Sequence, residues 1–208
     1  MTSWDPNLSA IAMQVRATAS RQRRKLIALA GAPGSGKSTL GEALAGKLTE
    51  DGTKAAVVPM DGFHLDNRII APRGDLARKG APHTFDAAGL LRLLPALAQD
   101  DEVYYPLFDR RMDCAIAGAG ALAPDTEVVI VEGNYLLLGQ PEWQSMTSYW
   151  DMTIMLYVPF EELERRLVER WEAHGLPPED AVARARSNDL PNARAVIEHS
   201  MFADLTVR

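Results

Sequence analysis

The sequence predicts an α/β protein, a three-layer α/β/α sandwich on a mostly parallel sheet, and three observations carry that prediction. Short runs at 25–30, 55–60, 128–131 and 153–158 are apolar almost throughout rather than alternating, as strands covered on both faces are. Longer stretches with helical spacing separate them. The chain has 208 residues, 47% apolar and 24% charged, which suits one domain spanning 1–208 with a buried core.

The elements follow in order. Leu8, Ile11, Ala12, Val15 and Ala19 form a helical stripe, so a helix within 1–21 is expected to cover the domain or to meet a second copy in a homodimer. Lys25–Ala30 reads as a buried strand, and Lys37 to about Glu50 as a helix that Gly52 stops. Ala55–Met60 is the second strand. Residues 61–85 are polar, irregular and rich in Gly, Pro and Arg; a stretch too long for a bare connector points to function. Asp86–Gln99 reads as a helix that Pro95 kinks or ends, and 103–108 as a strand. Val128–Val131 is a buried strand running into Glu132-Gly133, and Thr153–Val158 is another. A charged helix follows from about Phe160 to His174. Residues 178–200 read as two helical pieces broken near Pro191, and 205–207 as a last strand.

Composition excludes several classes. A net charge of −6, from 28 acidic and 22 basic residues, argues against a broad nucleic-acid surface. Cys114 is alone, so no internal disulfide forms, and a reducing compartment is expected. The longest apolar runs, LIALAGA and MTIMLYVPF, fall short of the ~20 residues of a spanning helix. The start, MTSWDPNLSA, lacks the cationic and apolar regions of a signal peptide. These features lead to the expectation of a cytoplasmic protein without membrane insertion.

The strongest motif is Gly31-Ala32-Pro33-Gly34-Ser35-Gly36-Lys37-Ser38, which matches G-x-x-x-x-G-K-[ST] directly after a buried strand and at the start of a helix. Its glycines let the backbone turn N–H groups inward around phosphate, and the helix N-terminus adds positive potential. Lys37 is placed to reach the β- and γ-phosphates, the Ser38 hydroxyl to bind Mg²⁺, and Thr39 to make a secondary phosphate contact. Chance alone supplies such a match in about one chain of this length in a hundred. The chain is therefore expected to bind a nucleoside triphosphate.

The reaction is read from what surrounds this loop. A guanine-reading N-K-x-D is absent, and the D-x-x-G match at Asp86–Gly89 falls in a helical stretch. Two further strands end in an acid followed by glycine, at Asp61-Gly62 and Glu132-Gly133. Ligands of parallel sheets gather at the carboxyl ends of strands, so both acids are expected to face the γ-phosphate. Phosphoryl transfer to a hydroxyl needs one carboxylate at the acceptor and one at the metal. Asp61 is assigned the acceptor side and Glu132 the Mg²⁺ side, although the roles are exchangeable at this level. For Asp61 the competing reading is a helix cap.

At these residues the chain resembles the P-loop kinase family that includes uridine kinase, phosphoribulokinase and bacterial pantothenate kinase. It also resembles the bacterial fructose transport system kinases, through MDGFHLDN, RKGAPHTFD, PLFDRRMD and VEGNYLLL. The resemblance implies a P-loop NTPase fold with a helical lid over 160–186, ATP and Mg²⁺ as cofactors, and a small sugar-like acceptor. It also implies an acceptor-binding segment at 61–113. Polar candidates there are Asp61, His64, Arg73, His83, Asp109 and Arg110, with Asn134 and Tyr135 entering from the other side. Lid arginines closing on the triphosphate are Arg166 and Arg170, with Arg165 next to them. The competing account is a set of surface pairs, Glu162 with Arg166 and Arg166 with Glu169. Asn188, Asp189 and Asn192 are candidates beside the adenine, or helix caps. The chain departs from the D-S-F-Y pattern of uridine kinase at Asp61–His64 and is shorter than a pantothenate kinase. Both alternatives stand behind the sugar reading, as does a non-catalytic ATP-binding regulator of a transport system.

Overall fold

Side-chain alternation along residues 25–31 builds the layers. Leu26, Ala28 and Ala30 are fully buried in one apolar cluster, and Ile27 and Leu29 in another, so this strand is covered on both faces. The structure is a computed structural model that describes residues 7–20 and 22–208; the sequence readings of residues 1–6 and 21 lie outside them. Its strands are β1 (Lys25–Gly31), β2 (Ala55–Pro59), β3 (Val103–Asp109), β4 (Cys114–Leu122), β5 (Val128–Gly133), β6 (Met152–Leu156) and β7 (Leu205–Val207). The helices are α1 (Leu8–Ala17), α2 (Lys37–Glu50), α3 (Asn67–Ile70), α4 (Ala87–Gln99), α5 (Pro141–Gln144), α6 (Phe160–Ala173), α7 (Pro178–Arg184) and α8 (Leu190–His199).

Five strands form one parallel sheet in the order β2-β5-β1-β6-β7. Ile11 and Val15 of α1 and Leu40, Leu44 and Leu48 of α2 pack on one face. Leu90, Leu94 and Leu97 of α4, Leu163 and Leu167 of α6 and Val196 of α8 pack on the other. The expected sandwich is therefore observed. Asn7 caps α1 by accepting from the Ala10 N–H at 3.0 Å, and Lys25 Nζ donates to the Val15 and Arg16 carbonyls at 2.6 and 3.0 Å. The apolar stripe of α1 is thus buried within its own chain.

The structure revises the reading in three places. Helix α4 runs through Pro95 to Gln99, and Asp86 of the D-x-x-G match is its cap, accepting from the Gly89 N–H at 2.7 Å. The helical break in 178–200 is a π turn at Ala185–Asp189, ahead of Pro191, which sits in the first turn of α8. Strand β3 does not join the parallel sheet. It pairs antiparallel with β4, an element the sequence reading lacks. The β4 sequence, CAIAGAGAL, consists largely of Ala and Gly, residues of weak β propensity with no polar alternation. Its Gly120 is required because a Cβ there would lie 2.3 Å from the Tyr105 ring of β3.

The amino end of the sheet is tied by Arg24, which is 0% exposed. Its guanidinium donates to the carbonyl oxygens of Thr126 (3.1 Å), Leu97 (3.3 Å), Asp101 (2.7 Å) and Asp100. One side chain thereby joins the end of α4 to the loop entering β5. No helix of the described residues is long and apolar enough to cross a membrane. Replacing Arg24 by Met keeps an unbranched apolar stem but leaves several buried carbonyls without donors. A loss of about 3–5 kcal/mol in urea-unfolding stability is expected, the scale of an unpaired buried polar cluster.

Candidate active site

Everything of chemical interest gathers at the carboxyl end of the sheet. Strand β1 runs into the turn 31–38, where Gly34 and Gly36 adopt φ of 80° and 92°, and α2 opens at Lys37. No side chain caps this helix, so its first N–H groups stay directed at the loop. Gly34 also leaves room for the opposite wall, since a Cβ there would lie 3.1 Å from Leu167 of α6. Ser35 is buried, and its hydroxyl has no partner.

Glu132 is the penultimate residue of β5, level with Leu29 of β1 and Pro59 of β2. It is 5% exposed. The Ser38 hydroxyl donates to its Oε1 at 3.1 Å, and Lys37 Nζ lies 3.9 Å from its Oε2, which has no hydrogen-bond partner. A buried carboxylate oxygen without a donor, beside the serine of a phosphate loop, is an arrangement that suits a cation. Burial pushes the Glu132 carboxyl above its ordinary range, and Asp61 adds to the shift; Lys37, Ser38 and Arg110 oppose it.

Asp61 lies just beyond β2, in a 3₁₀ turn at Met60–Phe63. Its Oδ2 accepts from Arg110 Nη2 at 3.1 Å. The glycines behind the two acids have steric work. A Cβ on Gly62 would sit 2.0 Å from the Pro106 carbonyl oxygen, and one on Gly133 would sit 2.5 Å from Met60 Cβ. Neither residue has positive φ; each provides space where two backbones approach. Pro106 stands where the β3–β4 register shifts, a position that tolerates a missing N–H. The hairpin is thus held against the Asp61 turn, with Arg110 at its tip.

A cleft of about 350 Å³ opens beside the phosphate loop, the Asp61 turn and the hairpin tip; Glu132 and Ser38 are not part of its lining. Of the sequence candidates, Pro33, Gly34, Lys37, Asp61, His64, Arg110, Asn134, Arg170, Asn188 and Asn192 line it. Helix α6 forms one wall. Arg166 binds Glu162 at 2.7 Å and donates to the Ser35 carbonyl at 3.1 Å, which docks the helix on the phosphate loop. Arg170 faces the cleft; burial lowers its pKa, Arg110 adds to the effect, and Asp189 and Asp61 oppose it. Asn188 and Asn192 are buried and bind each other, with Asn188 donating to the Lys79 carbonyl at 2.8 Å.

Other candidates stand apart from this cleft. Arg165 points outward in ion pairs with Glu162 and Glu169, so Glu169 pairs with Arg165 rather than with Arg166. Arg73 is exposed at the end of a 3₁₀ turn. His83 pairs with Asp75 at 3.3 Å and borders a separate hollow beside Trp143. Asp109 accepts from the Arg111 and Met112 N–H groups and so shapes the hairpin turn. Tyr135 is fully buried and donates to the Gly80 carbonyl at 2.5 Å; burial pushes its hydroxyl pKa upward. Arg73 is turned to solvent, and the other four are held by local partners that periodicity and composition do not reveal. Asp189, a third candidate beside the adenine, lines the cleft too, whereas Lys79 and Asp113 line it without having been singled out. For Asp113 the signal is conformational, a positive φ of 52° at the hairpin turn.

Three comparisons bear on this geometry. A family description, Methylmalonyl Co-A mutase-associated GTPase MeaB, matches residues 4–64, the portion holding β1, the phosphate loop, α2 and β2. A Schizosaccharomyces pombe protein named "Putative uridine kinase C227.14" is 35% identical over 90% of this chain and 84% of its own length. "Uncharacterized protein YggC" of Escherichia coli is 35% identical over 91% of this chain and 80% of its own. The crystal structure of a "putative fructose transport system kinase" from Silicibacter sp. TM1040 superposes with a TM-score of 0.94 at 54% identity, over 97% of this chain and 99% of that one.

Two outcomes test the site's construction. Gly62→Ala forces the hairpin away from the Asp61 turn, and a stability loss of about 1–3 kcal/mol is expected in thermal or urea unfolding. Glu132 carries a raised pKa, so its contribution to folding is neutral below the ordinary value of 4.5 and becomes unfavourable as pH rises through the folded-state value. Glu132→Gln is therefore expected to raise the melting temperature of the nucleotide-free protein, more at alkaline pH than at pH near 4. Thermal melts across that range check the sign.

Proposed function

The chain belongs to the P-loop kinases related to uridine kinase, and from that premise we propose that it transfers the γ-phosphoryl group of ATP to a hydroxyl of a small metabolite. The most fitting acceptor is a sugar such as fructose. The observation that carries the proposal is the disposition of two acids near the phosphate loop: Glu132 is bound to Ser38, and Asp61, held by Arg110, lines the cleft with Lys37. The fructose reading is supported by the name of the 54%-identical crystal structure.

The residues then take the following roles. Backbone N–H groups of Gly34, Gly36, Lys37 and Ser38, with the Lys37 ammonium, receive the phosphates. Ser38 and the unpartnered oxygen of Glu132 would hold Mg²⁺, which when bound neutralises phosphate charge. Arg110 holds one oxygen of Asp61, leaving the other to accept the hydroxyl proton of the acceptor. The acceptor oxygen forms a bond to the γ-phosphorus while the bond to the β–γ bridging oxygen breaks, releasing ADP. Arg170, without a carboxylate partner within salt-bridge distance among the described residues, faces the charge that develops. Arg166 keeps α6 on the loop and helps exclude water.

A coupled ADP-release assay over sugars, nucleosides and pantothenate tests the reading. A sugar is expected to raise turnover well above basal hydrolysis, and silence of the entire panel would remove the transferase assignment. Asp61→Asn is expected to lower turnover by about 10²–10⁴-fold while leaving ATP affinity, measured by calorimetry, nearly intact. Parallel loss of both would make Asp61 a structural residue.

A further inference from the structure

Lys79 lines the cleft yet has no proton left to offer a ligand there. Its side chain is 10% exposed, and its ammonium lies 5.2 Å from the centre of the Phe108 ring. An ammonium carries three protons, and three oxygens stand ready for them. They are Asn67 Oδ1 at 2.8 Å, the Asp113 carbonyl at 2.6 Å and the Asp113 carboxylate at 2.9 Å. Asn67 closes the ring of contacts by donating its Nδ2 to the other carboxylate oxygen of Asp113 at 2.9 Å. Arg170 is the opposite case in the same cleft, a cation with no carboxylate within salt-bridge distance among the described residues. A charge as enclosed and as fully satisfied as that of Lys79 holds structure rather than substrate.

What it holds is the turn between β3 and β4. Asp113 has its positive φ of 52° there, a costly conformation for a residue with a Cβ, and both its carbonyl and its carboxylate are gripped from outside the hairpin. The same turn, residues 110–113, carries Arg110, whose guanidinium donates to Asp61 Oδ2 at 3.1 Å. The Arg110 side chain is 63% exposed, so its place is set by the backbone beneath it rather than by packing. The main chain at Lys79 is anchored in its turn. Its carbonyl accepts from Asn188 Nδ2 at 2.8 Å, and the neighbouring Arg78 donates to the Ser187 carbonyl at 2.9 Å. Ser187 and Asn188 belong to the π turn at Ala185–Asp189, which Trp171 of α6 joins by donating its Nε1 to Asp189 Oδ2 at 2.6 Å. One residue therefore connects the lid side of the cleft to the turn that presents Arg110 to the acid.

Resting on the kinase reading, we infer that Lys79 is a positioning residue for phosphoryl transfer. Its ammonium fixes the hairpin turn that sets Arg110 on Asp61, and its carbonyl ties that turn to the lid side of the cleft. Lys79 touches neither the acceptor nor the phosphates; it acts through Asp113 and Arg110. Without the ammonium, Asp113 is released from its left-handed conformation and the turn relaxes. Arg110 then no longer occupies one oxygen of Asp61, and the other loses its aim at the acceptor hydroxyl. Misplacing a reacting group by about 1 Å costs on the order of a hundredfold in rate. The fold is spared, because the Asp113 side chain is 54% exposed and water takes the place of the lost ammonium.

Lys79→Met, which keeps an apolar stem over Phe108, tests this in the full chain. In nucleotide-free protein the Arg111 and Met112 amides, which donate to Asp109 Oδ1 in the turn, are expected to exchange hydrogen about tenfold faster or more, with the amides of β1 and β5 unaffected. Unchanged exchange in the turn overturns the inference and leaves the kinase reading standing. With an active acceptor, kcat is expected to fall about 10- to 100-fold while ATP affinity, measured by calorimetry, stays within about twofold. A matching loss of ATP affinity makes Lys79 a phosphate ligand and overturns the inference. Adding Lys79→Met to Arg110→Met is expected to lower kcat by at most about threefold beyond Arg110→Met alone, because the one acts through the other. A merely structural lysine gives losses that multiply, and that result also overturns it. Asp113→Asn, which weakens the same grip from its exposed side, is expected to show both effects in smaller size and guards against a Lys79→Met chain that does not fold; normal turn exchange in it overturns the inference. Silence of every acceptor with the unaltered protein removes the kinase reading and this inference with it.

Discussion

The site is organised by one buried carboxylate. Glu132 is the penultimate residue of the strand between the phosphate-loop strand and the one leading to Asp61, so its position fixes the spacing of both. Its charge is disfavoured there, and the protein compensates it only in part through Ser38 and Lys37. An oxygen left without a donor in such a place is an energetic cost that a folded chain does not retain for packing alone. Ser35 Oγ and Asn134 Oδ1, buried and unpartnered in the same region, share that character. The same end of the sheet is thus both the least satisfied part of the molecule and the part with the most chemistry.

The second constraint is steric. The backbones after β2 and β5 and the carbonyl at Pro106 converge too closely for any side chain on Gly62 or Gly133. This convergence brings the hairpin tip, with Arg110, to Asp61. The lid helix obeys a similar rule: Leu167 packs against Gly34 while Arg166 binds the loop carbonyls. Three segments distant in sequence therefore meet around the phosphate loop through glycine contacts, and the cleft is what remains between them.

These contacts also sort the charged residues. Along α6, Arg165 turns to solvent and is neutralised by two glutamates, Arg166 turns to the loop, and Arg170 reaches the cleft with no carboxylate within salt-bridge distance among the described residues. Exposed pairs such as those of Arg165 contribute little to stability, whereas a desolvated, unpaired guanidinium is costly and is commonly kept for a ligand anion. His64 is the complementary case, a titratable group whose pKa is lowered by burial between two aromatic rings, against the opposing effect of the Asp61 carbonyl.

The parallel sheet, the phosphate loop and the two acid-glycine strand ends were legible in the sequence. They depend on local facts: continuous apolar runs, a glycine spacing, and an acid that stops a strand. Strand β4 was not legible, because an Ala- and Gly-rich segment has no alternation of its own and becomes a strand only by pairing with β3. Nor could the sequence separate Asp61, His64, Arg110 and Arg170 from Arg73, His83, Asp109, Tyr135 and Arg165. All nine are polar residues in suitable segments. Which of them faces the cleft was decided by tertiary contacts, the Gly80 carbonyl that holds Tyr135 and the glutamates that hold Arg165 among them. Local pattern determines what a segment becomes; burial and partner geometry, which exist only once the chain is folded, determine which side chains are left free to act.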